Sequence, residues 1–64
     1  MIRPGNIVEI IDEELDTFGA EALVLAVHES IGQVYVQYHG LKHENQILRT
    51  WQVKPVVQSR NFVV

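Results

Sequence analysis

The sequence predicts an all-β protein, a small and strongly bent antiparallel barrel of five short strands in one domain. Three observations carry this. The stretch Gln33–His39 alternates strictly, with Val34, Val36 and Tyr38 on one side of an extended strand and Gln33, Tyr35, Gln37 and His39 on the other. Other apolar runs are short, rich in β-branched residues and separated by Gly, Pro or polar clusters. Finally, 64 residues with 47% apolar content give one core and exclude disorder for most of the length, and the absence of cysteine removes disulfides and thiolate chemistry.

Met1 to Gly5 is a lead-in, because Pro4 has no N–H and Gly5 suits a turn. The first strand is Asn6–Ile11, with both faces partly covered. Asp12–Gly19 reads as a long loop. Its acids could form a single helical turn, and Leu15 and Phe18 are the apolar anchors that hold it on the body. Ala20–Glu29 contains helix formers, and a helix would place Leu23 and Val27 together. The strand reading is preferred, with Leu23, Leu25 and Val27 inward and the mostly smaller Ala22, Val24 and Ala26 outward.

Glu29–Gly32 is a tight connection that makes an antiparallel hairpin with Gln33–His39. Gly40 ends that strand, and Leu41–Asn45 is a polar turn. Gln46–Thr50 is a fourth strand carrying Ile47 and Leu48, and Thr50-Trp51-Gln52 fits a 3₁₀ turn. Val53, Val56 and Val57 make a closing strand, which Pro55 confines to an edge. Residues 58–64 form a tail ending in Phe62-Val63-Val64, either docked or an aggregation liability.

The formal net charge is −3, from five Lys+Arg against eight Asp+Glu. That balance disfavours a nucleic-acid binder, which lives on phosphate contacts. Arg49, Lys54 and Arg60, with Lys42, are nevertheless the set that would form a basic patch, with Tyr35 or Trp51 stacking on bases. No signal peptide is visible, and the apolar run Ala22–Val27 falls far short of the ~20 residues a membrane helix needs. The expectation is a soluble, cytoplasmic chain without membrane insertion.

Arg3-Pro4-Gly5-Asn6-Ile7-Val8, then Val34-Tyr35-Val36-Gln37-Tyr38, then Arg49-Thr50-Trp51-Gln52-Val53 resemble the strand and turn order of SH3-like barrels. Among these the chain is most similar to the ferredoxin-docking subunits of cyanobacterial NADH-dehydrogenase-like complexes. The resemblance implies the barrel fold and docking to an acidic protein. Two departures stand against the role: this chain is itself acidic, and Leu41-Lys42-His43-Glu44-Asn45 replaces the Gly- and Trp-bearing loop of that family. Tyr35, Tyr38 and Trp51 also give a looser likeness to chromo- and Tudor-type barrels.

Asp12, Glu13, Glu14 and Asp16 lack the spacing of a calcium loop and read as a solvated acidic loop. His39 and His43, with His28 and Glu44, are the residues a zinc site would draw on; solvent-facing histidine is the simpler reading. Ser30, His28 and Glu29 make a nucleophilic set only on paper, because alternation turns His28 and Glu29 to opposite faces. No catalytic, metal or cofactor residue is assigned. Trp51 fits either a barrel lid or a partner anchor. The expected function is a non-catalytic protein-interaction module, with Tyr35, Gln37, His39, Arg49 and Trp51 as its partner-binding residues. An incompletely closed edge strand could also pair the chain with itself.

Overall fold

The computed structural model describes residues 2–56. Its strands are β1 (Ile7–Ile10), β2 (Glu21–His28), β3 (Gln33–Tyr38), β4 (Gln46–Arg49) and β5 (Val53–Pro55). They form one antiparallel sheet in the order β4-β3-β2-β1-β5. Two 3₁₀ turns, Glu29–Ile31 and Thr50–Gln52, join β2 to β3 and β4 to β5. The all-β, five-stranded antiparallel class is as the sequence predicts. Barrel closure is not part of it: β4 and β5 are the two edges, and no ladder joins them among the described residues. The tail and Val57, assigned to the closing strand, lie outside the described residues.

A flat single sheet leaves both faces in water. Here Val8, Ile10, Ala22, Val24, Val34, Val36, Tyr38, Leu48 and Val53 come from all five strands and none is more than 6% exposed. No α-helix covers them among the described residues. The sheet therefore bends over its own inner face, and Ile2, Leu15, Ala20 and Val27 pack round the margin.

The lead-in is a turn with a defined reason. The Asn6 N–H donates to the Arg3 carbonyl at 3.0 Å, and the Arg3 N–H donates to Asn6 Oδ1 at 2.8 Å. Pro4 and Gly5 fill the central positions, and Gly5 takes φ +93°, as a type II turn requires. The Gly5 N–H then donates to the Val24 carbonyl at 2.8 Å and ties the turn to β2.

The long loop is a series of tight turns rather than a helical one. Leu15, Phe18 and Ala20 each donate an N–H to the carbonyl three residues back, at 3.1, 3.1 and 2.9 Å. Leu15 packs on the core as expected. Phe18, the other expected anchor, is 53% exposed, and Thr17 takes the inward place. Tyr38 brings a hydroxyl into the core that needs a polar partner, which Thr17 supplies and a phenyl ring could not.

The strand reading of residues 20–29 holds, but of its expected inward residues Leu23, Leu25 and Val27 only Val27 packs on the core as expected. Ala22 and Val24 are buried while Leu25 is 38% exposed and Leu23 only half-buried. The pairing with β3 shifts between Val24 and Ala26, so that Val24 faces Val36 but Ala26 faces Tyr35. Leu25 is the extra residue of a β-bulge. The bulge exchanges the faces: even-numbered residues point inward before it, and Val27, opposite Val34, points inward after it. Unbroken alternation, on which the expectation rested, fails at that one residue.

Candidate functional site

Across the outer face of the sheet the registers set side chains in rows. Tyr35 of β3 stands between Ala26 of β2 and Ile47 of β4, and Gln33 stands between His28 and Arg49. Within β3 the predicted parity holds: Val34, Val36 and Tyr38 are buried, Tyr35 is 40% exposed, and Gln37 is exposed. His39, one residue past the end of the strand, is also exposed. Ala26, His28, Ile31, Gln33, Val34, Tyr35 and Ile47 line an open groove of about 540 Å³ on this face. Ile47 at 60% and Ile31 at 54% exposure make it a surface depression and not a water-excluding cleft.

The five residues predicted to bind a partner are all exposed, but they do not converge. Tyr35 lines the groove, and Arg49 borders it through its pair with Gln33. Gln37 pairs with Leu23, and the His39 N–H donates to the Glu21 carbonyl at 2.9 Å, which sets His39 beside Glu21. Four residues of strand put His39 about 13 Å from Tyr35. Trp51, in the second 3₁₀ turn, is 66% exposed, too open to serve as a lid on the core.

Ile47, Ala26, His28, Ile31 and Gln33 are groove residues that sequence reasoning did not select. For Ile47 a signal existed. Adjacent residues of a strand face opposite ways, so Ile47 and Leu48 could not both be buried. Only the pairing Tyr35–Ile47 and Val34–Leu48 decides which one points out.

Beyond His39 the row continues as Glu21, Glu9 and Lys54 on β2, β1 and β5. Glu9 thus stands opposite a like charge on one side, and on the other lies 3.7 Å from Lys54 Nζ. This occupies Lys54 on one edge strand while Arg49 sits on the other, so the two do not make a patch with each other. Arg60, the third member of that set, lies outside the described residues.

The histidines do not assemble. The hairpin does bring β2 beside β3, but His28 meets Gln33 whereas His39 lies beside Glu21, at opposite ends of the pair. His43 packs against the Tyr38 ring at 4.7 Å, edge to face, and its Nδ1 lies 2.9 Å from the Glu44 carbonyl oxygen. Among the described residues no three His, Asp or Glu side chains gather as metal ligands. His28 lines the groove, while Glu29 and Ser30 belong to the following turn and are exposed.

Asp12 is structural rather than part of a cation loop. Its Oδ2 accepts from Gln52 Nε2 at 2.7 Å and its Oδ1 from the Glu14 N–H at 3.0 Å. The Gln52 amide first, and then the Glu14 N–H, hold the carboxyl below the usual carboxylate range against a smaller opposing effect of desolvation. Gln52 Oε1 meanwhile accepts the Arg49 N–H at 2.8 Å. One amide therefore clamps the end of β4 to the start of the loop.

Fold and surface together define a small all-β protein with one partly apolar outer face. No helix among the described residues is long and apolar enough to cross a membrane. Comparison with protein families, curated proteins and solved structures found no match to this chain.

Proposed function

We propose that the chain is a non-catalytic protein-interaction module, a small accessory or adaptor protein that docks a protein partner through the outer face of β3 and β4. The observation that carries this reading is Tyr35 set beside Ile47, an exposed aromatic and an exposed aliphatic side chain paired across two strands at the centre of an open groove. Such a pair offers large contact area at little entropic cost, and the Arg49–Gln33–His28 row supplies a polar rim. Trp51, in the 3₁₀ turn that follows β4, is a separate exposed aromatic outside the groove lining and a second candidate anchor.

The resemblance to ferredoxin-docking subunits agrees in kind, as protein docking. An acidic chain whose outer face carries the Glu9–Glu21 pair is nevertheless poorly matched to an acidic partner. The test is affinity capture from native lysate with the wild-type chain and with Tyr35→Ala/Trp51→Ala. A partner captured by the first and lost by the second supports the proposal. Retention of every captured protein by the folded double variant refutes it.

A further inference from the structure

We propose that β4 is a self-pairing edge, and that two copies of this chain associate through it about a two-fold axis at Ile47. This concerns backbone groups and does not rest on the docking reading above.

The direction of the free peptide groups follows from the ladders. The Thr50 N–H donates to the Gly32 carbonyl at 2.9 Å, one residue beyond the Gln33–Arg49 pair. In an antiparallel ladder this makes Gln33–Arg49 a non-hydrogen-bonded pair, and by alternation Tyr35–Ile47 as well. The N–H and C=O of Ile47 and Arg49 therefore point away from β3, toward the open edge. Gln52 Oε1 already takes the Arg49 N–H. Ile47 is left, in the middle of the strand, with a donor and an acceptor that no described residue uses.

The opposite edge is blunted. Ile11 donates to the Gln52 carbonyl at 2.8 Å and Val56 to the Ile7 carbonyl at 2.9 Å, so by the same geometry Val53 and Pro55 turn their peptide groups outward. Pro55 has no N–H, and Lys54 stands between the two, as protected edges commonly have it. β4 has no proline, and its centre, Gln46-Ile47-Leu48, has no charge.

A second copy fits this edge better than a longer foreign strand. Two antiparallel β4 strands centred on Ile47 each give one N–H and take one, which uses both free groups of Ile47, while the outward Arg49 carbonyl lies opposite Asn45 of the copy. A longer strand gains little, because the next outward donor is capped by Gln52. Side chains agree: an axis normal to the sheet keeps faces matched, so Ile47 meets Ile47 of the copy and the row Ala26–Tyr35–Ile47 continues into its mirror sequence. Leu48 meets Gln46, and Arg49 meets Asn45 rather than a like charge. Glu9 and Glu21 lie on β1 and at the start of β2, with β3 between them and the axis. A four-residue edge buries less than the ~1,200 Å² of a stable interface, so the dissociation constant is expected between about 1 μM and 1 mM.

The experiment is sedimentation of the full chain from about 10 μM to 2 mM, with residue-resolved amide exchange at both ends of that range. The expected result is a concentration-dependent dimer, with exchange of the Ile47 amide slowing several-fold at high concentration and that of Val53 unchanged. Ile47→Lys, at an exposed position, should stay folded and monomeric because it sets two like charges opposite each other. A monomer throughout, an Ile47 amide protected equally at all concentrations, or a folded Ile47→Lys that dimerises like wild type would each overturn the proposal. Should Ile47→Lys not fold, wild-type amide exchange decides alone. A monomeric result leaves partner capture through Tyr35 and Trp51 untouched, so the two readings fail separately.

Discussion

The hydroxyl of Thr17 lies 3.1 Å from the hydroxyl of Tyr38, and both side chains are buried. The Tyr38 hydroxyl donates its single hydrogen to Gln46 Oε1, so Thr17 is the donor to Tyr38. This short chain joins the long loop, β3 and the first residue of β4, which the sequence separates by 21 and 8 positions.

Tyr38→Phe removes the middle of that chain and leaves the buried Thr17 hydroxyl and Gln46 Oε1 without their partner. The expected cost is about 1–3 kcal/mol, whereas Thr17→Val, which leaves Tyr38 bonded to Gln46, should cost about 0.5–1.5 kcal/mol. Urea denaturation of both single variants and the double measures this. Additive losses would show that the three groups do not act as one network.

Asp12 gives a pH dependence of known sign. Its folded-state pKa lies below the unfolded value, so its contribution to stability is present above the usual Asp range, near pH 3.9, and is lost as pH falls through the depressed folded value. Asp12→Asn should therefore flatten the acid limb of the stability curve. Gln52→Ala, which removes the larger cause, should bring the Asp12 pKa back toward its ordinary value. Carboxyl-carbon NMR titration and urea melts across the acid range check both.

The bulge at Leu25 predicts that two chemically identical truncations differ. Leu48 is 3% exposed and Leu25 38% exposed. Leu48→Ala should cost about 2–5 kcal/mol and leave a cavity, while Leu25→Ala should cost under about 1 kcal/mol. Equal losses in chemical denaturation would mean that the inward face of β2 has been assigned wrongly.

Glu9 and Glu21 face each other across β1 and β2. Glu21→Lys turns a repulsive cross-strand pair into an attractive one and should stabilise by about 0.2–1 kcal/mol. The gain should shrink in high salt. Lys54→Ala, which removes an exposed pair at 3.7 Å, should cost no more than about 1 kcal/mol. Thermal melts at low and high ionic strength separate these effects.

The sequence by itself determined the all-β class, the number and order of strands, the 3₁₀ turn at Thr50–Gln52, the Pro4-Gly5 turn, and the parity of β3 that buries Tyr38 and exposes Tyr35. These are local properties: alternation, β-branching and turn chemistry act over a few residues and are written in them. Which of Ile47 and Leu48 faces out, which half of β2 is reversed by the bulge, and why Thr17 rather than Phe18 enters the core depend on a partner strand or side chain distant in sequence. The same holds for the surface. Tyr35 was legible as an outward aromatic, but its neighbours Ala26 and Ile47 come from other strands, and His39 was separated from it by strand length. The two edges were decided last of all, because whether a peptide group points into a ladder or out to solvent depends on the register of pairing, and register exists only once the sheet is folded.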